Sequence, residues 1–227
     1  MYRQAYSLVE LSIVLIIIGL LVAGVSSGTK LMQQAKLYRV VAEFTDYKGS
    51  INTFLLTYNS MPGDFDKATE FWSGTNLANG DNNGKIDSTE YQQAFYHLTL
   101  ANLSKVSTLD YNLFPESDLG KNNAVYHLDY RSNWFNSTGN MLVLNKAHWK
   151  GVMKAIEAYN IDRKIDDGFA HKGKMLGITG ANSDGTACAT AWTGGCAACS
   201  AHELGSPVDY NKSDSQEACF LMYKLGI

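Results

Sequence analysis

Proline is nearly absent: three residues in 227, the first of them Pro62. Nothing in the first quarter of the chain therefore forces a helix to stop. Cysteine is confined to the tail, at Cys188, Cys196, Cys199 and Cys219. Disulfides can close that tail, but they cannot organise the remainder. Neither sign of charge is in large excess, with 19 basic against 22 acidic side chains and a net charge of −3. That balance excludes the electrostatic footprint of a nucleic-acid-binding chain, and no nucleic-acid partner is expected. No Ser/His/Asp or Cys/His grouping stands in a recognisable catalytic context, so no enzyme is expected. Internal repeats and extended low-complexity tracts are missing too.

Charge is scarcest between positions 6 and 25, YSLVELSIVLIIIGLLVAGV, where Glu10 is the single charged side chain. Residues 8–25 are long and apolar enough to cross a bilayer core of about 30 Å as a helix. A carboxylate in such a run costs about 2.5–3.5 kcal/mol to insert and needs a partner. The bland reading is an anchor that tolerates one Glu near its end. The preceding residues favour a sharper one. Ala5 closes a short polar leader, MYRQA, and an aromatic (Tyr6), a hydroxyl (Ser7), two aliphatics (Leu8, Val9) and Glu10 follow. A secretory signal would have its apolar core on the removed side, whereas here the core would be retained.

This order resembles the type IV prepilin signature, with Ala5 where that family usually has Gly and Tyr6 where it usually has Phe. The resemblance implies a leader, residues 1–5, cut by a prepilin peptidase between Ala5 and Tyr6. Methylation of the new amino group on Tyr6 would follow. It implies assembly with copies of itself and other pilins through the N-terminal helices, with Glu10 as the assembly residue. It also implies a single-pass protein of the bacterial inner membrane, its head periplasmic, then part of an extracellular or periplasmic filament. Charge alone points the other way. Lys30, Lys36 and Arg39 follow the apolar run against Arg3 before it, which by the positive-inside rule puts the C-terminal side in the cytoplasm. The leader and the cysteines argue for export.

Leu31, Leu37, Val40, Val41, Phe44, Tyr47, Ile51, Phe54, Leu55 and Tyr58 recur at spacings of three and four. That is one apolar stripe on a helix. Joined to the first run, it predicts a single helix from Ser7 to Tyr58, about 75–80 Å long at 1.5 Å per residue. The resemblance implies that residues 6–28 are its transmembrane and assembly part, and residues 29–61 an amphipathic part packed on a head. Pro62 and Gly63 end it. Residues 64–72 follow as a short helix capped by Asp64.

Residues 79–90, NGDNNGKIDSTE, carry the spacing of an EF-hand calcium loop. The ligands would be Asn79, Asp81, Asn83, the main-chain carbonyl of Lys85, Asp87 and Glu90. Gly84 falls at the sharp turn and Ile86 two places on. Ca²⁺ is the expected cofactor, since it takes six to eight oxygens and the closing Glu can supply two. Asn79 stands where Asp is usual, and the entering helix is poor; residues 88–106 predict the exiting helix. The competing reading is a solvated Asn/Gly turn.

Residues 124–130 and 140–144 have strand composition, with His127 as a surface strand residue and Trp134 and Phe135 as packing groups. Residues 146–160 predict a helix with His148 exposed. Asp166 and Asp167 suit a turn before Gly168 better than a cation site. Residues 218–225 predict a last strand. The CAAC pair with Cys188 and Cys219 could hold zinc or act in redox chemistry. An even, clustered count in an exported domain favours two disulfides, with three pairings open.

The expected fold class is α+β. By resemblance it is pilin-like: the long helix on a small globular head, residues 62–227, with an antiparallel β-sheet and a Cys-rich C-terminal loop. The implied function is that of a structural subunit of a type IV pilus-like filament. A type II secretion pseudopilin is the alternative, and a minor pilin acting as an adhesive or DNA-binding tip is another.

Overall fold

The computed structural model describes residues 7–87, 89–104, 114–120, 123–134, 137–146, 149–180, 199, 209–213, 215 and 217–226. Helix α1, Leu8–Tyr58, runs unbroken for 51 residues. Ser7 caps it, accepting from the Val9 N–H, and Glu10 accepts from the Ser7 N–H to close a capping box. At the other end Asn59 takes a left-handed conformation (φ 53°) and donates its N–H to Leu55. The stop is therefore Asn59, three residues before Pro62, because Asn adopts that conformation at little cost.

The helix changes character along its length. The large apolar side chains between positions 8 and 25 are 50–86% exposed. This part is long and apolar enough to cross a membrane. From Leu37 onward the stripe turns inward, and Leu37, Val40, Phe44, Ile51 and Phe54 are buried. Polar contacts fix the same stretch: Glu43 accepts from the Tyr126 hydroxyl (2.8 Å), the Ser117 hydroxyl (2.6 Å) and the Asp118 N–H (2.6 Å).

The rest comprises α2 (Ala68–Phe71), α3 (Tyr91–Leu100), β1 (Val125–Trp134), β2 (Ser137–Asn145), α4 (Ala155–Ile165), β3 (Met175–Thr179) and β4 (Cys219–Lys224). The four strands form one antiparallel sheet in the order β1-β2-β4-β3. The fold is thus α+β, with a long apolar N-terminal helix and a small antiparallel sheet. One sheet face presents Tyr126, Leu128, Leu142, Leu144 and Leu221 to the core that α1 enters, with Phe44 edge-on to Tyr126 at 5.2 Å. The other face buries Met141, Val143, Leu176, Ile178, Phe220 and Met222.

Several expectations shift. Helix α2 starts after Lys67, and Asp64 does not cap it. Helix α3 ends at Leu100, short of residue 106, where Asn102 turns left-handed (φ 57°). Helix α4 begins at Ala155 and not at residue 146, because the chain before it pairs with β4. Val152 donates to the Cys219 carbonyl (2.7 Å) and Cys219 donates back to Met153 (2.9 Å). Gly151 permits that approach, since a Cβ there would lie 2.3 Å from Ala218. Strand β3 was not expected. His127 is not a surface residue: it is 9% exposed, with its ring between those of Phe114 and Trp149. Both sheet faces are buried, so neither half of the alternation points to water. The Trp134 side chain, Phe135 and His148 lie outside what is described.

Candidate cation site at the end of the long helix

The turn after α1 brings Asp64 beneath the 79–90 loop. Gly63 makes the turn with φ 98°. Two main-chain bonds then hold the loop against it, Gly80 N–H to the Phe65 carbonyl (2.9 Å) and Asn82 N–H to the Asp64 carbonyl (3.0 Å). Only glycine fits at position 80, where a Cβ would lie 2.3 Å from Asp64 main chain. Ile86, fully buried, plugs the loop into the core. Its N–H donates to the Asn140 side chain (3.0 Å), and its carbonyl accepts from Tyr130 in β1 (2.7 Å).

Carboxylates converge inside this frame. Asp64, 1% exposed, accepts from the N–H groups of Asn83 and Gly84, both at 2.9 Å. Glu90, 4% exposed and preceding α3, accepts from the N–H groups of Asp81 (2.9 Å) and Asp87 (3.2 Å). Asp64, Asp81 and Glu90 each offer an oxygen within 4.8 Å of the others. Burial is the chief cause that holds the carboxyls of Asp64 and Glu90 above the ordinary range, and the negative charge of Asp81 adds to it. Among the described residues, no Lys, Arg or His is ion-paired with any of the three.

Of the expected ligand set, the structure brings together Asp81 and Glu90. Asn79 instead accepts from the Thr69 N–H (2.9 Å), and Asp87 accepts from the N–H and hydroxyl of Thr89 (2.9 and 2.8 Å). Asn83 donates its amide to Asp81 (2.8 Å) and accepts from the Lys85 N–H (2.8 Å). Asp64 was not foreseen as a ligand. Its only local signal, an acid after Pro-Gly, reads equally well as a helix cap. Chemically the set suits a hard cation. Oxygens within 4.8 Å of one another are close to the spread that one Ca²⁺, with ligands at about 2.3–2.6 Å, draws together.

Of the other candidate residues, Asp166 and Asp167 converge with Asp162, each offering an oxygen within 4.8 Å of the others. Ala5 and Tyr6 lie outside the described residues, and exposed Glu10 closes the capping box of α1. Cys199 and Cys219 are disulfide-bonded; Cys188 and Cys196 lie outside the described residues. Asp166 accepts from the N–H groups of Lys174 and Met175, and Asp167 from that of Phe169, as turn residues do. Sequence reading missed Asp162, fully buried in α4, which accepts from the Tyr210 hydroxyl (2.8 Å) and the Gly168 N–H (3.2 Å). Burial raises its carboxyl to about 7. Neither a protein-family model, nor a curated protein, nor a solved structure matches this chain.

Proposed function

We propose that this chain is a pilin-like subunit, anchored by residues 8–25 of α1 and assembled through them after cleavage between Ala5 and Tyr6. One observation carries the reading. The prepilin-like residues MYRQA-YSLVE lead into a helix whose first half is apolar and exposed and whose second half is built into an α+β head. Bare apolar surface of that length needs a bilayer or neighbouring helices. In a filament, the Tyr6 ammonium released by cleavage and the Glu10 carboxylate would be partners in an apolar bundle, where either alone costs several kcal/mol. Glu10→Ala should therefore insert and be cleaved normally but fail to enter filaments. Ala5→Phe should accumulate as uncut precursor. Wild-type filament yield from Glu10→Ala, by electron microscopy of sheared filaments probed for this chain, would refute the assembly role.

The same labelling separates the relatives of this reading. Dense labelling along long filaments means a major pilin, terminal labelling a tip subunit, and no surface filament a pseudopilin. In each of these three the head holds a cation. We assign Ca²⁺ to Asp64, Asp81 and Glu90, because two of these carboxylates are buried and no basic side chain among the described residues pairs with them.

A further inference from the structure

A groove of about 320 Å³ opens where α1 leaves the head, between residues 29–37 of α1, the Leu119–Gly120 turn and the start of α4. Lys36 and Lys154 line it, both half-buried, and neither has an ion-pair partner among the described residues. Two ammonium groups lining one groove favour an anion between them, since hydrogen bonds from a charged donor to phosphate are the strong ones. The Nζ of Lys36 lies beside Gly120 (φ 71°), where an added Cβ would come within 2.9 Å of it. Glu157 and Glu217 line the same groove, and Glu157 accepts from the Gln33 amide (2.8 Å) and the Lys154 N–H (2.9 Å). Met32 and Leu37 supply an apolar wall.

Height along the helix sets what can reach this groove. Twenty residues from Leu8 fill a bilayer core of about 30 Å, which places its edge near Ser27. Thr29, at the foot of the groove, then lies at the headgroup layer. Helical side chains tilt toward the N-terminus and lysine stems snorkel, so a lysine at position 36 can reach back toward that layer.

We infer that this groove takes the headgroup of a phospholipid bearing both a phosphate and a primary ammonium, as phosphatidylethanolamine does. The phosphate lies between Lys36 and Lys154, and the ammonium faces Glu217 and Glu157. The mixed signs match such a headgroup better than a purely anionic one. This site also gives Lys36 a reason to stand on the side of the bilayer where the positive-inside rule does not expect it. The inference rests on the membrane-anchored reading.

Full-length chain reconstituted in vesicles of phosphatidylethanolamine and an uncharged galactolipid tests it. Carbonate extraction reports integration, and native mass spectrometry after mild detergent release counts retained phosphatidylethanolamine. Wild type should stay integrated and carry one tightly held molecule. Lys36→Ala with Lys154→Ala should integrate equally, melt at the same temperature and retain at least tenfold less. A wild type washed off by carbonate overturns the anchoring reading and this proposal with it. An integrated wild type that carries no more phosphatidylethanolamine than the double variant overturns the proposal alone. Equal retention of phosphatidylglycerol, which has the phosphate but no ammonium, overturns the assigned headgroup class.

Discussion

His97 and His127 are both held neutral by burial, with ring values lowered to about 4 and about 3. The Nδ1 of His97 accepts from the Gly63 N–H (3.0 Å) and its Nε2 faces the Ala78 carbonyl (3.1 Å), so Nε2 carries the single proton. A second proton would oppose the Gly63 N–H. Unfolded histidine takes its proton near pH 6.5, so each ring lowers stability as pH falls from there toward its folded value. His127→Phe should keep the ring packing against Phe114 and Trp149 and stay within about 1 kcal/mol of wild type at pH 7. At pH 4 it should be the more stable, by up to about 3 kcal/mol, in urea unfolding of the head. Equal acid losses in both proteins would show that His127 is not responsible. At the cation site, Asp64 and Asp87 make opposite predictions. Millimolar Ca²⁺ should raise the melting temperature of wild type against chelator, with affinity on the order of 10⁻⁴–10⁻³ M. Asp64→Asn and Glu90→Ala should abolish that rise. Asp87→Asn should keep most of it, because Asp87 is turned toward Thr89. If Asp87→Asn alone were silent to calcium, the ligands would follow the loop spacing, and Asp64 would not belong.

Among the elements, β4 ties the head together: it lies between β2 and β3, pairs at Cys219 with the segment before α4, and is joined there to Cys199. Asn211 donates to the Cys199 carbonyl (2.8 Å), and Tyr210 lies over Gly177 of β3, where a Cβ would come within 2.2 Å of its ring. Replacing both Cys199 and Cys219 with Ser should cost about 3 kcal/mol, typical of closing a loop of some twenty residues. The variant should then melt below the oxidised wild type in thermal unfolding. A variant that melts with the oxidised protein would make the bond dispensable. Helix α1 was legible in the sequence because periodicity and missing proline agree over its whole length. Its end at Tyr58 was legible too, although the residue that stops it is Asn59 in a left-handed cap and not Pro62. Strand β3 and the start of α4 were not legible. MLGIT is too short to declare a period, and the segment before α4 is held extended by pairing with a strand some sixty-five residues downstream. The acidic site was half legible for the same reason. Asp81 and Glu90 belong to a local spacing, whereas Asp64 joins them only through the turn at Gly63.

At the scale of the whole molecule, one helix lives in two environments, and the boundary between them can be cut. Ser7 and residues 8–35 of α1 are exposed throughout, and burial begins with half-buried Lys36 and buried Leu37. Removing residues 1–28 therefore takes away no buried side chain among the described residues, while it removes the apolar surface that would aggregate in water. The truncated chain should be soluble and monomeric by sedimentation, and its urea midpoint should match that of the full chain in detergent within about 1 kcal/mol. Cutting to residue 45 should be far worse, because Leu37, Val40 and Phe44 leave the core together, and each large apolar truncation costs about 2–5 kcal/mol. Glu43 would go with them, leaving the buried Tyr126 hydroxyl without its acceptor. A head that stays folded after the second cut would mean that α1 is an attachment to the sheet and not part of its core. A head that unfolds after the first would mean that the exposed half stabilises the fold through contacts absent from the described chain.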